Sequence, residues 1–192
     1  MVGTLRFNLL KLLLWFLKSL KENLRFKIIN QIIKELTSEK RHFLDLSREY
    51  LDAARVFYYH EQWNLCLLQS VISMESALAS LVFNSDVTKY YVKRVGSLTK
   101  LKEKYRKAQG LPKKVEKFLF PVAEWLSLNK ISLEISKIMP IIYNKKSKEG
   151  IYDLRSKVVH EGISITKEQA EQAVKVASRF LQILNLINEN AR

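Results

Sequence analysis

The sequence has very little glycine, proline or cysteine, with 5, 3 and 1 residues of these types among 192. Glycine and proline occupy many tight turns, so their scarcity disfavours a fold of many short strands joined by hairpins. Leu, Lys, Glu and Ala are abundant instead, and these residues form helices readily. The sequence therefore predicts an all-α fold made of long helices.

Cys66 is the single cysteine, which excludes an intramolecular disulfide and a zinc site built on cysteines. The three histidines, His42, His60 and His160, are far apart in the sequence and form no HExxH motif. We therefore expect neither a metal ion nor another cofactor. A chain without disulfides suits a reducing compartment, so we expect a cytoplasmic protein.

Acidic residues are also few, since 19 Asp and Glu stand against 33 Lys and Arg, for a formal net charge of +14. The excess lies in two segments, with about +6 in residues 1–34 and about +8 in residues 93–117. Such segments favour a polyanionic partner, which is a nucleic acid or an anionic membrane surface. The alternative is a solvated surface that keeps the protein in solution.

The N-terminal segment, residues 1–36, is predicted to form one long basic amphipathic helix over residues 5–34. Its apolar run from Leu9 to Leu17 is too short to span a bilayer and contains Lys11. No small-residue cleavage site follows, so a secretory signal is not expected. Residues 5–27 suit either an anionic membrane surface or a partner helix in a dimer, and we favour the partner helix.

The remainder, residues 37–192, is predicted to form one helical domain. Apolar residues at helical spacing predict a helix over 38–59 and a second over 62–83. Near the C-terminus, a helix is expected over 148–160. The final helix follows Thr166, which with Gln169 has the spacing of a capping box.

The segment between these helix pairs, about residues 84–146, is predicted to be a basic helical insertion. Its first part, 84–95, is expected to be irregular, and a short basic helix is expected over 100–107. A weaker helix over 132–143 is expected to break at Pro140, because proline removes a backbone donor.

The basic residues of the insertion are the candidates for contact with RNA phosphates. Tyr90, Tyr91 and Tyr105 lie among them, and tyrosine rings can stack on unpaired bases. The alternative is that these rings pack under the insertion. The candidate phosphate contacts are Lys100, Lys102, Lys104, Arg106, Lys107, Lys113, Lys114 and Lys117.

Glu75 interrupts the apolar face of the helix predicted over 62–83. A carboxylate in such a position needs a cation or hydrogen-bond donors, because an unpaired buried charge is strongly unfavourable. Arg155 is the candidate partner. Their contact would be either a structural ion pair or a support that orients Arg155 for chemistry.

Arg155 and His160 are the residues that best suit a reaction. An arginine can neutralise charge that develops on a phosphate, and a histidine can move a proton near neutral pH. Such a pair can cleave RNA without a metal if the ribose 2′-hydroxyl is the nucleophile. Positions five apart on a helix point about 140° away from each other. A frayed helix end, or a second copy of the helix across a dimer, would bring the pair together. The alternative is structural, with Arg155 paired to Glu75 and His160 at the helix end.

The segment Ile151-Tyr-Asp-Leu-Arg-Ser-Lys-Val-Val-His-Glu-Gly162, followed by the capped final helix, resembles the C-terminal half of a HEPN domain. That family carries an Arg-x(4–6)-His motif, commonly with a polar residue directly after the arginine. Arg155, Ser156 and His160 match this motif, although the family more often has Asn or Asp at the position of Ser156.

The N-terminal part of the domain is similar to that family as well. The helices predicted over 38–59 and 62–83 resemble its first pair, including Met74-Glu-Ser-Ala-Leu78. The resemblance covers about residues 38–83 and 147–190, so the insertion is atypical of the family.

The resemblance implies an antiparallel helical bundle that forms a homodimer, with two Arg/His pairs at a shared cleft. Many members are metal-independent endoribonucleases in toxin–antitoxin, abortive-infection or CRISPR-linked defence, and they leave a 2′,3′-cyclic phosphate. Carried over, His160 would be the general acid/base, Arg155 the phosphate clamp, and Ser156 a residue that orients a group or contacts RNA. An antitoxin protein would be a further partner. Other members bind without cleaving, so a non-catalytic RNA- or protein-binding module is the alternative.

Overall fold

All regular secondary structure in the described residues of the computed structural model is helical, which confirms the predicted all-α class. The structure describes residues 43–83, 85–144, 146–147 and 149–191. The N-terminal segment 1–36, with its predicted helix, lies outside these residues. So does the predicted start of the next helix near Ser38.

The first two described helices form an antiparallel hairpin. Helix α1 spans Phe43–Tyr59 and helix α2 spans Trp63–Phe83, and they pack against each other. Between them, Glu61 adopts a left-handed conformation with φ of 57°. The backbone N–H of Gln62 donates to the Phe57 carbonyl at 2.9 Å, as in a Schellman motif. This turn ends α1 and reverses the chain.

Helix α2 is the centre of the described fold and is buried on most of its sides. Its polar side chains bond within the core, where the Ser70 hydroxyl donates to the Cys66 carbonyl at 2.9 Å and the Ser73 hydroxyl donates to the Ser47 carbonyl at 2.7 Å. Of the helices that the structure describes, α2 is the one long and apolar enough, by length and composition, to cross a membrane. Yet 72% of its most apolar window is buried inside the fold, which is typical of a core helix.

The insertion is helical along most of its length and packs against α2. Its elements are α3 at Val87–Val95, α4 at Leu98–Lys107, α5 at Gly110–Lys114, a π-helical turn at Val115–Leu119, α6 at Phe120–Trp125 and α7 at Asn129–Ile142. The basic helix predicted over 100–107 is confirmed as α4, and Ser97 caps its start by accepting from the Lys100 backbone N–H at 3.2 Å.

The prediction of an irregular segment over residues 84–95 is wrong. Val87 and Tyr91 lie one turn apart and both are buried, so α3 has a side that faces the core. The Ser85 hydroxyl accepts from the Val87 backbone N–H at 3.2 Å, and Gly96 ends the helix in a left-handed conformation. Packing against α2 supplies the stability of so short a helix, and sequence propensity does not report that packing.

The predicted break at Pro140 is wrong as well, because α7 continues through it to Ile142. Pro140 lacks the N–H that would pair with the Ser136 carbonyl. The proline is exposed, so water can bind that carbonyl. Ile138 and Ile142 are buried and hold the last turn against the core.

The two C-terminal helices close the bundle. Helix α8 spans Ile151–Glu161 and packs against α2 and α7, while α9 spans Lys167–Asn190 and packs against α1, α2 and α7. The capping box of Thr166 and Gln169 is confirmed at the start of α9. Gly162 ends α8 with φ of 68°, a left-handed conformation that favours glycine.

Asn64, near the start of α2, holds the loop between α8 and α9. Its side-chain amide donates to the Ile163 carbonyl at 3.0 Å, and its side-chain oxygen accepts from the Ile165 backbone N–H at 3.0 Å. The C-terminal end of α8 is therefore fixed close to the start of α2.

Candidate functional site

Helix α8 carries all three residues of the predicted motif. Ile151, Leu154 and Val158 are buried and define the face of α8 that meets the core. Arg155 lies beside this face and is half-buried, while His160 lies on the opposite side and is exposed. Ser156 is half-buried.

The end of α8 is regular, and the helix includes His160 and Glu161 before Gly162 ends it. Fraying therefore does not turn His160 towards Arg155. At about 100° of rotation per residue, the two side chains leave the helix about 140° apart. One copy of α8 therefore does not direct both side chains to one point.

Arg155 lies over an aromatic ring of its own helix. Its guanidinium carbon is 6.0 Å from the centre of the Tyr152 ring, at the outer limit of a cation–π contact. Among the described residues, no hydrogen bond or ion pair joins Arg155 to Glu75 or to any other carboxylate. Within the described fold, the contact of the guanidinium is therefore the one with the Tyr152 ring.

Glu75 acts on two tyrosines from different parts of the chain. Burial raises the pKa of Tyr152, and the charge of the half-buried Glu75 raises it further. The same two causes, in the same order, raise the pKa of Tyr105 in α4. The charge of Glu75 thus affects one tyrosine of the insertion and one of α8, and within the described residues no hydrogen bond or ion pair joins Glu75 to Arg155.

Gly110 brings the insertion into direct contact with α8. It has φ of +76°, and a Cβ placed on it would be 2.6 Å from the Tyr152 hydroxyl oxygen. Glycine is needed here for two reasons, the backbone conformation and the close approach of the ring. The ring that lies under Arg155 is thus packed directly on the first residue of α5.

Tyr105 is the most unusual polar group in this region. It is 9% exposed, and its hydroxyl oxygen is buried with no hydrogen-bond partner among the described residues. Lys114 Nζ lies 4.7 Å from the centre of the Tyr105 ring, and the Lys114 side chain is half-buried. Lys114 therefore covers an aromatic ring, whereas the other candidate phosphate contacts extend into solvent.

The remaining candidates for phosphate contact are all exposed and, within the described part of the chain, take part in no ion pair. They are Lys100, Lys102, Lys104, Arg106, Lys107, Lys113 and Lys117. Leu101 and Tyr105 are buried beneath them and attach α4 to the core. The basic surface is therefore held on a packed scaffold.

Of the tyrosines predicted to stack on bases, two are part of the core. Tyr91 is 4% exposed and its hydroxyl donates to the Phe118 carbonyl, while Tyr105 packs against Phe118 with ring centres 5.1 Å apart. Packing under the insertion is thus the correct interpretation for both. Tyr90 is different, because it is only half-buried and stacks on Trp125.

Trp125 was missed by sequence reasoning. It is 50% exposed at the end of α6. The signal in the sequence is its place just before Leu126-Ser127-Leu128, where the chain leaves the helix and Ser127 adopts φ of 54°. Side chains at such an end are less often covered than those in the middle of a helix.

His, Cys, Asp and Glu side chains of the described residues form no group of three or more that could hold a metal ion. In comparisons with known proteins, the chain matches no family model, no curated protein and no solved structure.

Proposed function

We propose that this protein is a metal-independent RNA endonuclease of the HEPN kind that acts as a homodimer in a toxin or defence system. One observation carries the proposal. Helix α8 presents Arg155 without a carboxylate partner in the described fold and His160 in an exposed position, on the motif that resembles that family.

The reaction that suits these side chains is transesterification within the RNA. The ribose 2′-oxygen attacks the adjacent phosphorus, and the bond from phosphorus to the 5′-oxygen breaks. His160 takes the proton of the 2′-hydroxyl or donates a proton to the leaving 5′-oxygen. Arg155 binds the non-bridging oxygens as their charge increases. The products are a 2′,3′-cyclic phosphate and a 5′-hydroxyl, and Ser156 is placed to orient a group or to contact the RNA.

The geometry of α8 supports the proposal of a homodimer. Because Arg155 and His160 leave one helix in different directions, we propose that Arg155 of one protomer works with His160 of the other. The antiparallel hairpin of α1 and α2, closed by α8 and α9, supports a HEPN-like bundle with residues 84–146 as an insertion. An antitoxin is a further proposed partner, and the N-terminal segment, residues 1–36, is the part of the chain proposed for a dimer contact or an anionic membrane surface.

A second function is favoured by a separate observation. The basic residues of the insertion are exposed almost without exception, which suits RNA binding whether or not cleavage follows. A non-catalytic RNA- or protein-binding module is therefore the alternative.

The test is incubation of the purified full chain with labelled single-stranded RNA in EDTA, beside His160→Ala and Arg155→Ala. Lys157→Ala is the matched control, because Lys157 is a basic residue of the same helix at a position that the motif leaves variable. Cleavage by wild type and Lys157→Ala alone, with cyclic-phosphate ends, supports the nuclease. Intact RNA that is still bound by every folded variant supports the binding module.

A mixing experiment tests the dimer. His160→Ala retains Arg155, and Arg155→Ala retains His160, so a mixed dimer contains one intact pair if the pair forms across the interface. Partial recovery of cleavage after the two inactive proteins are mixed and allowed to exchange supports that arrangement. No recovery, with exchange shown by mass spectrometry, means that each pair forms within one protomer.

A further inference from the structure

Trp125 and Tyr90 form an exposed aromatic stack at the surface of the insertion. Their ring centres are 4.5 Å apart and their planes are inclined by 21°. Trp125 is 50% exposed although Tyr90 covers one of its faces, so its other face is open to solvent. An open indole face on a stacked partner is well suited to a further planar group.

Tyr90, the less exposed ring of this stack, is held in place by its neighbours. The Tyr90 hydroxyl accepts a hydrogen bond from an Arg94 guanidinium nitrogen at 2.8 Å and donates to the Pro121 carbonyl at 3.4 Å. Tyr91 packs edge-on beneath it with ring centres 5.3 Å apart, and Tyr91 is itself buried. Little ordering of Tyr90 is therefore required when a ligand binds.

The charges next to the stack are mainly positive. Helix α3 contains Lys89, Lys93 and Arg94 and no carboxylate, and all three cations are exposed. Asp86 precedes the helix and lies 3.8 Å from Lys89. Glu124, beside Trp125, is an exposed carboxylate, and within the described fold it forms no ion pair with Arg94 or Lys93.

We propose that the Trp125/Tyr90 stack binds an unpaired base of single-stranded RNA, with Arg94 and Lys93 at the neighbouring phosphates. The proposal rests on the proposed RNA-directed function and adds to it a base-binding position away from Arg155 and His160. Stacking on an aromatic ring is tolerant of sequence, because every base has a flat face. The site therefore selects unpaired over paired RNA and has little sequence preference.

RNA suits this surface better than a protein partner. The centres of protein interfaces are depleted of lysine, whereas here the exposed ring is bordered by a helix with three cations and no acidic residue. A nucleic acid satisfies both features at once, because its base covers the indole and its phosphates meet the cations.

The probe is a short mixed-sequence RNA with 2′-O-methyl groups, which cannot be cleaved through its 2′-oxygen. Its affinity for the full chain is measured by fluorescence anisotropy with wild type, Trp125→Ala and Trp125→Phe. Tyr59→Ala is the matched control, because Tyr59 is an 86% exposed aromatic residue on α1, outside the basic insertion. An abasic strand of the same length and charge, and a duplex, complete the comparison.

Trp125→Ala is expected to weaken binding of the single strand about tenfold, which is the loss of about one stacked base. Trp125→Phe keeps part of this affinity, and Tyr59→Ala binds as wild type. Neither the abasic strand nor the duplex is expected to distinguish Trp125→Ala from wild type.

Equal affinity of Trp125→Ala and wild type for the single strand would overturn the proposal, and so would an equal loss with the abasic strand. A change in self-association of Trp125→Ala with unchanged RNA affinity would assign the surface to a protein contact. The experiments also distinguish a failure of this proposal from a failure of the proposed nuclease activity. Binding that depends on Trp125 without any cleavage leaves this site standing, and cleavage with no role of Trp125 in binding leaves only the nuclease.

Discussion

Replacement of Gly110 by alanine tests the contact between the insertion and the helix that carries Arg155. In the structure the new Cβ would be 2.6 Å from the Tyr152 hydroxyl oxygen and 3.0 Å from the ring carbon that bears it. The backbone φ of +76° adds a second penalty, because side chains other than glycine rarely adopt it. Gly110→Ala therefore strains α5 and displaces the Tyr152 ring.

The two penalties can be estimated separately. An alanine in the left-handed region costs about 1–2 kcal/mol relative to glycine. Displacement of a packed ring by an extra carbon costs about 1–3 kcal/mol more. Gly110→Ala should therefore lower the free energy of unfolding by roughly 2–5 kcal/mol. For a chain of this size the midpoint of thermal unfolding should fall by roughly 5–15 °C.

The assay is equilibrium unfolding in denaturant followed by circular dichroism, with Gly162→Ala as the matched control. Gly162 has φ of +68° and nothing within 4 Å of its added Cβ, so it has the backbone penalty alone. The difference between the two variants measures the collision with Tyr152. Tyr152→Phe removes the nearest atom, so the double variant should lose less stability than the sum of the single variants.

Equal destabilisation by Gly110→Ala and Gly162→Ala would refute the reasoning. So would strict additivity of Gly110→Ala and Tyr152→Phe, because it would mean that the hydroxyl does not limit the space above Gly110. Either result would remove the argument that the insertion supports the ring beneath Arg155.

Three further predictions concern other parts of the fold. Thr166→Ala should lower the free energy of unfolding by about 1 kcal/mol, because it removes the N-cap of the long helix α9. Ser97→Ala removes the N-cap of the shorter helix α4 and should cost less in the same denaturant titration, and the reverse order would contradict this. Burial raises the pKa of the Cys66 thiol to about 12, so at mildly alkaline pH a disulfide reagent should modify it only after unfolding. Immediate modification of the native protein would show that the thiol is accessible. Hydrogen bonds from Arg179 lower the pKa of Glu134, so this pair stabilises the fold above the ordinary carboxyl pKa and ceases to do so as the pH falls through the lowered value. Arg179→Gln should raise the pKa of Glu134 in an NMR titration, and an unchanged pKa would contradict the contact between α7 and α9.

The parts of the fold that depend on neighbouring residues were predictable from the sequence. Thr166 and Gln169 form the capping box that their spacing indicates, and the helix predicted over 148–160 is observed at Ile151–Glu161. Apolar residues at helical spacing predicted the bounds of α2 to within one residue, since the helix predicted over 62–83 is observed at Trp63–Phe83. These features follow from local hydrogen bonding and from the period of the helix.

The parts that depend on distant contacts were not predictable. Helix α3 was missed because it is stabilised by burial of Val87 and Tyr91 against the core rather than by favourable propensity. The sequence indicated that Glu75 needs a partner, but not that its charge also raises the pKa of Tyr105 and of Tyr152. A partner across the fold depends on how helices pack, and the period of one helix does not carry that information.

The sequence by itself determined the helical class, the basic character of the insertion and the order of residues in the Arg155–His160 motif. Each depends on composition or on spacing within one helix. Only the tertiary structure decided which aromatic rings of the insertion are buried and that Trp125 lies exposed on Tyr90. It also decided that the Tyr152 ring, which lies beneath Arg155, packs directly on Gly110. These outcomes depend on the packing of helices far apart in the chain, where burial of apolar surface outweighs local preference.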